Sequence, residues 1–190
     1  MHGSFAVLAA TWMAMMTAMM APVTWPWVAL FGRLQGSMAG YAVGYVAAWI
    51  PYSLGAAAIQ HRFQHGWLSE GHALPPSCAA IVLIGAGLFQ FTSIKSACLR
   101  HCRNPLTYFL RHWRGGPPSG IRIGFEHGMF CVACCWALMA TMFAVGVMNV
   151  AWMVGLAAVG LVEQLTPKGE RLGRLFGTAL ALWGMAMLVG

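Results

Sequence analysis

Apolar residues run along this chain in long uninterrupted blocks, and the charged residues gather into short stretches between them. Uncharged runs occupy about 4–31, 39–59, 77–94, 123–145, 147–162 and 175–190. A helix needs ~20 mostly apolar residues to cross the hydrocarbon core of a bilayer, and only a helix or a closed barrel satisfies its backbone there. The pattern predicts an all-α, polytopic transmembrane helical bundle of about six spans, with residues 1–190 forming a single integral membrane domain. Pro22 and Pro26 predict a kink or an early end in the first span, with Trp25 and Trp27 at the membrane interface. Pro51 should bend the second. The fourth and fifth runs meet at Gly146-Val147-Met148-Asn149, enough for a tight hairpin with Asn149 at its tip.

Composition sharpens this reading. Of the 190 residues, 59% are hydrophobic and only 8% charged, whereas a soluble domain carries about 25% charged residues. In water such a chain would expose apolar patches well beyond those that monomers tolerate, so the lipid bilayer is its expected surrounding. The start, Met1-His2-Gly3-Ser4-Phe5, has no basic segment before the first apolar run. That run therefore reads as a retained span and not as a cleaved signal peptide.

The formal net charge of +7 comes from eleven Lys and Arg against four Asp and Glu. Its distribution points to topology and away from nucleic acid. The loops after spans one, three and five hold Arg33; Lys95, Arg100, Arg103, Arg111, Arg114 and Arg122; and Lys168, Arg171 and Arg174. The remaining loops hold Arg62 alone. Ten basic residues against one place the first set of loops in the cytoplasm and both termini on the external side.

The residues able to carry chemistry are sulfur and imidazole. In His127-Gly128-Met129-Phe130-Cys131-Val132-Ala133-Cys134-Cys135, a helical rotation of about 100° per residue puts His127, Cys131, Cys134 and Cys135 on one face, with Met142 further along the same stripe. Cys98-Leu99-Arg100-His101-Cys102, if helical, sets both thiols and the imidazole on one face by its i, i+3 and i+4 spacing. In Trp12-Met13-Ala14-Met15-Met16-Thr17-Ala18-Met19-Met20, Met13, Met16 and Met20 share one face while Met15 and Met19 share another. Thiolate, thioether and imidazole together select soft or borderline metals, with Cu(I) first and Zn(II), an iron–sulfur cluster or haem behind it. Only Glu126 and Glu163 among the acidic residues lie near a span, which argues against a Mg or Ca site. Each feature has a plainer alternative. Buried cysteines pack as small hydrophobes, methionines fill gaps or face lipid, and His61, His65 and His72 can simply be solvated in an outer loop. Cys78 stands alone. The CxxC of Cys131 to Cys134 also has the spacing of a thiol–disulfide exchange centre.

These segments carry a resemblance. Trp12 to Pro22, Lys95-Ser96-Ala97-Cys98-Leu99-Arg100-His101-Cys102-Arg103-Asn104-Pro105, His127-Gly128 with Cys131, Cys134-Cys135-Trp136, Gly146 to Asn149 and Trp152-Met153 are similar to a bacterial family of uncharacterised, predicted metal-binding integral membrane proteins, over nearly the whole chain. The resemblance implies metal binding and a place in the bacterial inner membrane. Members of that family commonly begin with one further span, which agrees with the external start expected here. The expected function is copper handling: holding Cu(I), passing it across the membrane, or delivering it to a membrane cuproenzyme. An accessory subunit of a larger membrane complex and a thiol- or copper-dependent oxidoreductase are the alternatives. The expected ligands are His127, Cys131, Cys134 and Cys135, with Cys98, His101 and Cys102 close by and Met13, Met16 and Met20 as a weaker relay.

Overall fold

The computed structural model describes residues 4–35, 38–63, 74–103 and 118–189. Among them the chain is helical and forms no strand. The helices are α1 (Phe5–Gln35), α2 (Met38–Phe63), α3 (Pro76–Phe89), α4 (Ser93–Cys102), α5 (Pro118–Ala140), α6 (Met142–Val145), α7 (Val150–Leu165) and α8 (Gly169–Val189). His65, His72, Arg111 and Arg114 lie outside the described residues.

Among the described residues, four stretches are long and apolar enough to cross a membrane: Phe5–Leu34, Met38–Phe63, Gly120–Val145 and Gly169–Val189. The pair α3 and α4 adds a fifth if it is taken as one span bent by 64°. The expected six is therefore corrected to four or five. The run at 147–162 forms only the 16-residue α7, about 24 Å at 1.5 Å per residue, which is short of the ~30 Å hydrocarbon core. Asn149 caps its start, its Oδ1 accepting from the Trp152 backbone N–H at 3.0 Å. Thr166, followed by Pro167, ends it. The hairpin expected around Asn149 is present, and Gly146 makes it possible by taking φ = 115°, a left-handed conformation that costs glycine no Cβ clash.

The break between α3 and α4 was hidden inside an apolar run. Gln90-Phe91-Thr92 leave the helix, and Thr92 then caps α4, its Oγ1 accepting from the Lys95 N–H at 3.2 Å. The bend turns Cys98 and Cys102 back into the bundle. The early end allowed for in the first span does not occur: Pro22 and Pro26 lie inside α1, which runs for 31 residues, and Pro51 lies inside α2. Trp25 is exposed, but Trp27 is buried in the core and not at an interface.

α2 and α5 approach closely because glycines face the partner backbone. A Cβ on Gly44 would strike the Ile121 carbonyl, and one on Gly124 would strike the Tyr41 carbonyl. Small residues at four-residue spacing let helices pack by van der Waals contact where lipid supplies no hydrophobic drive. The start of α1 and the end of α8 lie at one end of the bundle. Phe5 packs on His61, Leu74 donates its N–H to the Phe143 carbonyl, and Gly184 lies against Ala80. The glycine contact yields a direct test. Gly124→Val should lower stability by about 3 kcal/mol, the upper end of the overpacking range, whereas Gly155→Ala, with open space at its Cβ position, should be near neutral. Thermal unfolding in detergent measures both.

Candidate metal centre

Four helices converge on the thiols of α5. The Sγ atoms of Cys131, Cys134 and Cys135 lie within 4.8 Å of one another, with Cys134 and Cys135 3.2 Å apart. All three side chains are buried, at 0–1% exposure. α4 supplies a fourth thiol nearby, since Cys102 is buried in the same core cluster as the three. α2 supplies Tyr45, whose hydroxyl donates to the Cys131 Sγ at 3.0 Å. α1 brings the Met20 Sδ to 3.9 Å from the same sulfur, and α7 brings the Gln164 Nε2 to 3.8 Å. Helical rotation is what gathers the α5 thiols: residues three and four apart share a face.

His127 occupies a separate position one turn before Cys131, outside the mutually close thiol group. Its ring stacks on Trp27 at 3.9 Å between centroids, and its Nδ1 is 2.6 Å from the Tyr41 hydroxyl. Its Nε2 is buried without a hydrogen-bond partner. An unsatisfied buried polar atom costs about 1–3 kcal/mol, so a ring fixed at one nitrogen and bare at the other has the arrangement of a metal ligand oriented by its neighbour.

The other expected residues divide. Cys98 is half-buried and packs against the core beside the thiols, and Met16 lies fully buried in that same core. Met15 and Met19, on the adjoining α1 face, are buried there too. His101 is half-buried and stacks on Phe130 at 3.8 Å. Met13 is half-buried and outside this core. Cys78 lies at the start of α3 and is half-buried.

One part of the centre was misread from the sequence. Lys95, grouped with the loop cations, is 3% exposed inside the bundle. Its Nζ donates to the Glu163 Oε2 at 2.7 Å and to the Cys134 carbonyl at 2.9 Å. It thereby ties α4, α5 and α7 together. The signal was available: one Lys and one Glu, each at the edge of an apolar run, are far cheaper in a bundle as a pair than apart. Tyr41, Tyr45 and Gln164 left no comparable trace, because an isolated polar residue in an apolar run does not reveal which neighbour it meets.

Three thiols this close could hold a metal ion, and an independent comparison bears on that chemistry. A family model described as PpoB2, copper chaperone, matches residues 9–187. The chain belongs to this copper chaperone family. The match covers every helix that contributes to the centre and bears out the metal-binding family expected from the motifs. No curated protein and no solved structure matches the chain.

The ion pair generates a prediction for this copper chaperone family member. Lys95→Met should destabilise the fold by about 3–5 kcal/mol, because it leaves Glu163 charged and buried. Adding Glu163→Met should recover most of the loss. Unfolding of the two single variants and the double variant gives the coupling; additive losses would show that the pair carries no such energy.

Proposed function

We propose that the protein is an integral membrane copper chaperone. It holds Cu(I) on Cys131, Cys134 and Cys135, with Cys102 beside them, and delivers it to a membrane cuproenzyme or a larger membrane complex. The observation that carries this reading is the set of three buried thiols within 4.8 Å of one another. Soft sulfur donors at that spacing suit Cu(I), and hard oxygen donors are missing from the group. The long apolar helices favour a place in the bacterial inner membrane. The basic residues after α1, after α4 and between α7 and α8 favour a cytoplasmic position for that end of the bundle, with both termini external; α7, shorter than a full span, then returns the chain to that end, where Thr166 meets Arg103.

Burial weighs against thiol–disulfide exchange with a protein partner, because an attacking thiol must reach the sulfur and these sulfurs are at most 1% exposed. A single ion needs far less room. His127 stands one turn from the thiols as an imidazole donor on the cytoplasmic side of them.

Protein purified anaerobically without chelators should contain about one copper per chain, since three clustered thiols make one soft site. Cys134→Ser should lose most of it. Adding Cys102→Ser should cost little more, because ligands of one centre are non-additive. Elemental analysis decides, and a copper-free protein whose Cys134→Ser variant traps mixed disulfides would establish the oxidoreductase reading instead. Reporter fusions at Gly116 and Gly190 test the orientation: the first should report from the cytoplasm and the second from outside, and the reverse would overturn it.

A further inference from the structure

The thiol centre is sealed by protein, so an ion that reaches it needs an internal route. We propose that buried methionines between α1 and the α5–α6 stretch form a thioether ladder for Cu(I), running from the thiol centre toward the end of the bundle where α1 begins. The proposal rests on the reading of Cys131, Cys134 and Cys135 as Cu(I) ligands.

Three contacts set the register of α1 against α5 across the core. Trp27 stacks on His127 at 3.9 Å, the Met20 Sδ lies 3.9 Å from the Cys131 Sγ, and Trp12 stacks on Phe143 at 5.0 Å. The numbers fall on α1 as they rise on α5, so the two helices run antiparallel. Met16 therefore lies between the Met20 and Trp12 levels, the stretch of the core that Met139 and Met142 share by their positions between Cys131 and Phe143. Met16, Met20, Met139 and Met142 are each 0% exposed and belong to the same buried cluster as the thiols.

The spacing along each helix is regular. Cys135, Met139 and Met142 are separated by four and three residues, about 6 Å and 4.5 Å of rise, and stay within about 60° of one face. On α1, Met20 and Met16 are one turn apart on the facing stripe. A thioether binds Cu(I) without a charge and without releasing a proton. Its hold is weaker than that of a thiolate, so the ion can be passed on. Met20 is where the two sets of donors meet, because it touches Cys131 itself.

Methionine also fills irregular cores, and leucine separates the two roles. Leucine nearly conserves the volume of methionine but cannot ligate. The test is an anaerobic Cu(I) titration of the full chain in detergent against a chromophoric Cu(I) chelator. It compares wild type with a variant carrying Met16→Leu, Met139→Leu and Met142→Leu. Wild type should bind one tight equivalent and one weaker one. The triple variant should keep the tight equivalent and lose the affinity of the weaker one by more than about tenfold, at least the lower end of what even outer-shell changes cost a metal site. A wild type that stops at the tight equivalent, or a triple variant that keeps both, overturns the ladder and leaves the thiol site standing. A wild type without the tight equivalent overturns both readings. If the triple variant fails to fold, selenomethionine-labelled wild type provides the same decision. Selenium-edge absorption should gain copper neighbours as the second equivalent is added, and no gain overturns the ladder.

Discussion

A lysine and a glutamate placed inside an apolar bundle are each very costly alone, and Lys95 and Glu163 are tolerated because they meet at 2.7 Å. That requirement organises the surrounding chain. For Lys95 to reach Glu163, the polypeptide after Phe89 must leave its first direction, and Thr92 must restart a helix at a new angle. Once α4 lies there, a second N–H of the ammonium group donates to the Cys134 carbonyl, and Cys102 comes to face the thiols. At the far end of α4, the Arg103 guanidinium donates to the Thr166 carbonyl where α7 ends. The positions of α4, α5 and α7 thus follow from one electrostatic demand.

Much of this was legible in the chain. The apolar runs located the long helices, the one-face clustering of Cys131, Cys134 and Cys135 depended only on helical rotation, and Asn149 marked its hairpin. The failures have physical reasons. Hydropathy averages over a window, so a three-residue interruption at Gln90-Phe91-Thr92 leaves no dip when Phe91 is itself apolar. A proline ends a helix in water, yet in an apolar surrounding neighbouring groups stabilise the continued helix, and α1 runs through two of them. Trp27 was assigned to an interface because tryptophans collect there on average. Its indole N–H instead donates to the Cys102 carbonyl at 2.9 Å, a partner that exists only after α4 has folded back.

Several polar residues around the thiols hold one another or the sulfurs in place. Tyr45 is held to Cys131, Tyr41 to His127, and Lys95 to Glu163. The same side chains that remove water from the site also fix the rotamers of its donors. This is the preorganisation that a metal site needs in order to avoid reorganising as the ion arrives.

The complete burial of Cys131, Cys134 and Cys135 has a kinetic consequence. A centre open to solvent releases its ion at a rate set by bond strength. An ion held in an enclosed centre would leave, by whatever internal route, only as fast as the helices lining that route yield, and collective helix motions of that kind run on the microsecond-to-millisecond scale and slower. Dwell time then belongs to the breathing of the bundle and can be tuned by residues that never touch the ion, such as the glycines that set how tightly α2 grips α5.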